Sequence, residues 1–138
     1  MTGSVCVDTS VAFKWFSPAE EPGVDEALKL LRSHRDNEIA LLAPSIMRVE
    51  VANALRYSGC GAPDLREAIQ DLTRFHIEFV ELSDCTLAHA GELAIEHRLS
   101  VYDATFLALA IERECVLVTA DRKAFGRLPT SLCEIRLL

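Results

Sequence analysis

No apolar run in the chain approaches the ~20 residues that a membrane-spanning helix needs, so no membrane partner is expected. No basic region or cleavage signal precedes the first strand-like segment, and a cytoplasmic location is the expectation. The five cysteines (Cys6, Cys60, Cys85, Cys115, Cys133) are odd in number and scattered, with no Cys-x-x-Cys pair. That excludes a zinc-ligand spacing and argues against a disulfide framework. They read as reduced core residues, with Cys60, between Gly59 and Gly61, the most exposed. The four histidines (His34, His76, His89, His97) show no metal-motif spacing. Basic residues are in deficit, 14 against 21 acidic, for a net charge of −7. This weighs against a broad nucleic-acid-binding surface and leaves a local site open. Repeats, low-complexity tracts and linkers are also absent.

What is present is a chain of 138 residues, half of them hydrophobic and a quarter charged. One globular domain over residues 1–138 follows. Strand and helix alternate. Val5–Val7, Ile39–Ala43, Ile77–Leu82 and Val116–Thr119 read as strands, and Ile135–Leu137 as a closing one. Ser10–Phe16 reads as a short helix, Pro18–Gly23 as a loop and Val24–Arg35 as an amphipathic helix. Pro44 is expected to open a helix running to about Tyr57, at its favoured first-turn position. After a glycine-rich turn over Ser58–Pro63, helices are expected over Asp64–Phe75, Asp84–Arg98 and Asp103–Arg113, with a helical turn over Asp121–Phe125. Interleaving of this kind predicts a mostly parallel central sheet with helices on both faces, a three-layer α/β/α sandwich. Sites in such folds form beyond the carboxyl ends of the strands.

Four distant acids carry the chemistry: Asp8, Glu50, Asp103 and Asp121. Asp8 and Asp121 follow predicted strands, Asp103 opens a helix, and Glu50 lies within one. Two carboxylates about 5 Å apart at an effective dielectric of about 20 repel by roughly 3 kcal/mol. A fold that gathers four needs a cation, and an all-oxygen donor set favours Mg²⁺ or Mn²⁺. Each acid also has a plain structural explanation. Asp8 can cap the helix near Ser10, Asp121 can cap the turn through Phe125, and Asp103 can occupy the third position of a capping box opened by Ser100. Glu50, among Ile46, Val49, Val51, Ala52 and Ala54 on a helix that reads as largely buried, can pair with Arg48 or Arg56, or be oriented by Asn53. Lys14-Trp15-Phe16 reads as a core-and-rim corner rather than a base-stacking platform. Arg122, Lys123 and Arg127, beside Asp121, can hold phosphates or form a solvated basic turn.

Taken together, Val7-Asp8-Thr9-Ser10, Lys14-Trp15-Phe16, Arg48-Val49-Glu50-Val51-Ala52-Asn53-Ala54, Tyr102-Asp103-Ala104 and Val118-Thr119-Ala120-Asp121 resemble PIN-domain proteins of the VapC toxin family. The likeness spans nearly the whole chain in the right order. It implies a compact α/β/α sandwich, an Mg²⁺- or Mn²⁺-dependent endoribonuclease, a homodimer, and a small antitoxin that occupies the active-site groove. The family's acids fall on Asp8, Glu50, Asp103 and Asp121, its supporting hydroxyl on Thr119, and the small polar residue after the first acid on Ser10. Where some relatives carry a later acid before a phenylalanine, this chain has Ala124 before Phe125.

The implied chemistry is metal-assisted hydrolysis of RNA, with Asp8 and Asp103 as direct ligands and Glu50 and Asp121 acting through water or a second metal position. Ser10, Lys14, Arg122 and Lys123 are the candidate substrate contacts. Products would carry 5′-phosphate and 3′-hydroxyl ends. Metal-free ribonucleases use a histidine pair and the 2′-hydroxyl, and the sequence offers no such pair. An antitoxin arginine or lysine could enter the acidic pocket, with helix faces near Phe13, Phe16 and Leu55 as its groove. The alternatives are a PIN-like scaffold that binds RNA or a partner without cutting, and a phosphoacceptor receiver domain. The receiver pattern usually has adjacent acids after the first strand, and Cys6-Val7-Asp8 has one. A haloacid-dehalogenase-like phosphatase fits less well, because Asp8-Thr9-Ser10 lacks a second aspartate.

Overall fold

A computed structural model describes residues 3–18 and 20–138. The expected direct start at Met1 and Thr2, and the Ala19 part of the expected loop, fall outside the described residues. The elements in chain order are β1 (Gly3–Val7), α1 (Thr9–Lys14), α2 (Val24–Arg35), β2 (Ile39–Pro44), α3 (Ile46–Tyr57), α4 (Ala62–Arg74), β3 (Glu78–Val80), α5 (Asp84–His97), α6 (Val101–Glu112), β4 (Val116–Thr119), α7 (Arg122–Phe125) and β5 (Ile135–Leu137).

The strands form one all-parallel sheet in the order β3-β2-β1-β4-β5. β1 is central, and Val5, Cys6 and Val7 are all buried. Such a continuous apolar run, without in–out alternation, marks a parallel strand covered on both faces. α1 packs on α2 and α3, and α3 packs on α4, forming one helical layer. α5 packs on α6, which lies across β1, β2 and β4, forming the other. The expected three-layer α/β/α sandwich is what the chain adopts. α6 is buried from Ala104 through Ala110, the signature of a helix enclosed by protein. Its one polar residue in that run, Thr105, donates its hydroxyl to the Tyr102 carbonyl at 2.6 Å.

Several local expectations need correction. Pro44 ends β2 instead of opening a helix, in register with Val80. It has no N–H to give, and the next donor, Ser45 N, reaches the Val80 carbonyl at 2.9 Å. A strand end is a place where proline is tolerated. α6 begins two residues before Asp103, because Ser100 caps it by accepting from Asp103 N at 3.0 Å. α4 begins at Ala62, with Pro63 in its first turn. Cys85, rather than Cys60, is the exposed cysteine.

The Lys14-Trp15-Phe16 corner packs as expected. Trp15 is buried, donates its indole N–H to the Ala27 carbonyl at 2.9 Å and meets Phe75 edge-on. Phe16 stacks on Phe75. Lys14, offered above as a substrate contact, instead donates its Nζ to the Pro22 carbonyl at 2.7 Å and ties α1 to the loop before α2. Leu55 is buried, so it does not supply the open groove suggested above.

Candidate active site

The sheet order reverses at β1. The chain passes from β1 to β2 on one side and later returns to β4 on the other. In parallel α/β sheets that switch point leaves a crevice at the strands' carboxyl ends. Asp8 follows β1 there, and Thr119-Ala120-Asp121 close β4 beside it. The Asp8 amide extends the pairing by donating to the Val118 carbonyl at 2.9 Å.

Asp8 is 4% exposed. Its Oδ2 accepts from Ser10 Oγ at 2.6 Å, from Thr119 Oγ1 at 2.9 Å and, more weakly, from Ser10 N at 3.4 Å. Ser10 Oγ also accepts from Ala120 N at 2.9 Å, and Thr119 Oγ1 accepts from Asp121 N at 3.0 Å. Two hydroxyls therefore lace the end of β1 to the end of β4. Burial pushes the Asp8 carboxyl above its ordinary range, against the opposing hydrogen bonds from Ser10 and Thr119. Removal from water penalises the charged form more than these donors repay.

The other acids arrive on helices. Glu50 is half-buried on α3, and its Oε1 accepts from Thr9 Oγ1 at 2.7 Å. Arg48 lies over the Phe79 ring and Arg56 over the Tyr57 ring, and neither pairs with Glu50 among the described residues. α3 is also less buried than its composition suggested: Met47, Val51 and Leu55 face the core, while Val49 is 68% exposed. Burial raises the Glu50 carboxyl, the Thr9 bond opposes this, and the charges of Asp8 and Asp103 raise it further. Asp103 is raised first by burial and then by Asp8, with the Ser100 bond opposing and Asp121 adding to the rise. These mutual effects place the four acids in one electrostatic field.

Asp8 caps α1 as expected, accepting from Ser10 N. Asp121 Oδ1 does cap α7, accepting from Ala124 N at 3.0 Å. Asp103 sits in the third position of the box that Ser100 opens: its amide donates to Ser100 Oγ at 3.0 Å, and the same hydroxyl favours its charged carboxylate. None of the four acids forms an ion pair among the described residues. Nor, among them, do any three His, Cys, Asp or Glu side chains already stand as a group able to hold a metal ion. The donor chemistry still fits a hard divalent cation: every donor is an oxygen, and no protein cation pairs with any of the four acids among the described residues.

Two cavities flank the acids. One, of about 440 Å³, is bounded by Ser100, Asp103 and Asp121 together with Lys123 and Arg127. The other, of about 480 Å³, is bounded by Thr9, Val49, Glu50 and Tyr102. A larger cavity of about 550 Å³, between the carboxyl-terminal ends of α2 and α4, contains none of the acids. The flanking pair is the candidate site, because chemistry and not volume decides. Arg122 is exposed and lines neither flanking cavity, and Lys14 is engaged elsewhere. Sequence reasoning missed Thr9 as the partner of Glu50, and His97 and Arg98 as part of the basic wall. A hydroxyl directly after the first acid was the available signal for Thr9. Nothing local marked His97 or Arg98.

A family model for the PIN domain matches residues 5–130. The chain belongs to the PIN domain family. Solved structures share this PIN fold. A protein from Pyrobaculum aerophilum is 27% identical, with a TM-score of 0.62 over 91% of this chain and 86% of its own. VapBC2 from Rickettsia felis, bound to a DNA fragment from its promoter, is 18% identical, with a TM-score of 0.69 over 98% of each chain. VapC20 from Mycobacterium tuberculosis, a sarcin-ricin loop cleaving toxin, is 16% identical, with a TM-score of 0.70 over 88% of this chain and 93% of its own. No curated protein matches the chain significantly.

Proposed function

We propose that this PIN domain is an Mg²⁺- or Mn²⁺-dependent endoribonuclease, the toxin of a toxin–antitoxin pair. One observation carries the reading. A deeply buried Asp8, at the switch point of the sheet, shares its electrostatic field with Glu50 and Asp103 and, through Asp103, with Asp121, while no protein cation pairs with any of them among the described residues. Membership of the PIN family and the likeness to toxin structures support it.

Asp8, Asp103, Glu50 and Asp121 are the residues to hold the ion. When bound, a divalent cation acidifies water for in-line attack on phosphorus and offsets charge gathering on the phosphate oxygens. Ser10 and Thr119 hold the Asp8 carboxylate through its Oδ2 oxygen. Thr9 does the same for one oxygen of Glu50. Cleavage by water leaves 5′-phosphate and 3′-hydroxyl ends. The test is incubation of the purified protein with total RNA, with Mg²⁺, Mn²⁺ or excess chelator, followed by analysis of the ends. Cyclic-phosphate ends, or full activity in chelator, reject the proposal.

The expected partner is a small antitoxin that places an arginine or lysine against the acids, a charge-assisted contact. The exposed apolar side chains Val49, Tyr57, Val101 and Tyr102 offer surface for it or for a second copy of the chain as a homodimer. No helix among the described residues is long and apolar enough to cross a membrane, which suits a cytoplasmic toxin. A second reading, a PIN scaffold that binds RNA or a partner without cutting, draws on the absence of a ready-made three-ligand group among the described residues. Calorimetric titration with Mn²⁺ separates the two, because only the nuclease requires the ion to bind.

A further inference from the structure

The cavity of about 550 Å³ between the ends of α2 and α4 has no acidic residue in its lining. Asn37 and His76 line it just before β2 and β3 begin, so it lies at the amino end of the parallel sheet, away from Asp8 at the carboxyl end. Its lining is of two kinds: Leu28, Leu31 and Phe75 are half-buried, and Arg32, Arg35 and Arg74 are exposed. The volume, and an apolar lining with a few polar groups, are those of a small-molecule site. His34, also in the lining, fixes the walls relative to one another. Its Nδ1 accepts from Leu41 N at 3.1 Å, so Nε2 carries the proton and donates to the Phe75 carbonyl at 2.9 Å. One ring thus pins α2, β2 and the end of α4 together.

Cations in the last turn of a helix ordinarily serve its unpaired carbonyls. Here those carbonyls are occupied. The carbonyls of Arg32 and His34 accept from Asp36 N and Asn37 N, and those of Asp71 and Thr73 accept from Phe75 N and His76 N. Arg35 and Arg74 pair with Asp36 at 2.9 Å and Asp71 at 2.7 Å, but both pairs are exposed, and such pairs hold weakly. Arg32 acts on Asp36 only at a distance. Its side chain forms no hydrogen bond or ion pair among the described residues.

We propose that this cavity binds a small organic phosphate, an apolar or aromatic body carrying one phosphate monoester. The body lies against Leu28, Leu31 and Phe75, and the phosphate takes the donors of Arg32 and Arg74. Guanidinium meets phosphate oxygens two at a time. A monoester offers three oxygens and about two charges near neutral pH, enough for both arginines, whereas one fork fills a carboxylate. An acidic protein that gathers three guanidiniums around an apolar cavity, with no carboxylate in the lining, has the complementary charge for such a ligand. The assignment does not depend on the nuclease reading.

The test is calorimetric titration of the full chain with 1-naphthyl phosphate in excess chelator, so that no metal at the acids can hold the probe. Binding at one site is expected, in step with a shift of the indole N–H resonance of Trp15, the one tryptophan of the chain, whose ring meets Phe75 at 5.8 Å. Neutral 1-naphthol and inorganic phosphate, each matching half of the lining, bind about tenfold or more weakly than the ester. Arg32→Ala with Arg74→Ala weakens the ester about tenfold and changes naphthol binding little. Lys29→Ala with Arg66→Ala, an equal charge change on exposed surface outside the lining, leaves affinity unchanged. If the double variant melts below the parent, Arg32→Glu alone carries the test, because Arg32 is exposed and has no ion pair to lose. Parent-like binding of the ester by these cavity variants overturns the assignment. So does naphthol or inorganic phosphate binding as tightly as the ester, or no binding of the ester at millimolar concentration.

Discussion

Asp8 and Asp103 feel each other's charge and are held in opposite ways. Asp8 stands at a strand end, almost out of water, with two hydroxyls on one oxygen. Asp103 stands half-buried on the first turn of a helix, with Ser100 as its one hydroxyl neighbour. Glu50 resembles Asp103, with one hydroxyl contact from Thr9. The difference separates a fixed anchor from acids that can adjust. It also accounts for a pocket whose charges are coupled although no three acidic side chains are yet gathered for a metal among the described residues. Repulsion between like charges disfavours closer approach of these acids when no cation is present.

Asp8→Asn and Asp103→Asn are the severest tests, since both acids should be indispensable whichever way they are held. Each removes several kcal/mol of transition-state stabilisation, about 10³-fold or more in cleavage rate, with the fold retained. Parent-like cleavage by either variant removes that residue from the site. Thr119→Val comes next, because it strikes the anchor alone. It deletes a donor to Asp8 and the acceptor for Asp121 N at a fully buried position. Cleavage should fall about 10–100-fold, and stability by about 1–3 kcal/mol in a urea melt. Thr9→Val, which frees the adjustable Glu50, should lower cleavage less than Thr119→Val does; a larger loss would reverse the ranking of anchor and adjustable acid.

The smallest effect concerns pH in the metal-free protein. Asp8, Glu50 and Asp103 all have carboxyls raised above their ordinary values. The folded state therefore holds these protons more tightly than the unfolded chain does. Their contribution to stability is greatest below the ordinary carboxylate range and is lost as pH rises through the raised values. Metal-free melting temperature should drop across that window, less so in Asp8→Asn, and Mn²⁺ should flatten the profile. A metal-free melting temperature that climbs through the same window in the parent but not in Asp8→Asn would contradict the repulsion argument.

Much of this was legible in the sequence because it depends on short-range pattern. β1 and β4 showed as apolar runs ending in acids, and the alternation of strand and helix gave the parallel sheet. The hydroxyls Ser10 and Thr119 were marked only by the likeness to the VapC toxin family. Pro44 was misplaced because both a first helical turn and a strand end tolerate a missing N–H, and only the register with Val80 distinguishes them. Glu50 was given a neighbourhood that was too buried because α3 carries apolar residues on its open side as well, Val49 among them. Which partner it chose, Thr9 over Arg48 or Arg56, depended on the packing of α1 on α3. Arg98 and His97 reach the cavity wall only through the turn from α5 into α6, a tertiary fact with no local motif.

α6 has one further consequence, for the timing of assembly. It is enclosed by the sheet and α5 along most of its length, yet its first turn carries Asp103. The chain emerges from synthesis with Asp8 and Glu50 early, and with Asp103 and the β4 strand only in its last third. Until that greasy segment is swallowed by the rest of the domain, the third acid has nowhere to stand. A chain that stops short of α6 and β4 therefore lacks Asp103 and Asp121, and whatever chemistry the four carboxylates perform together waits for the last layer to close.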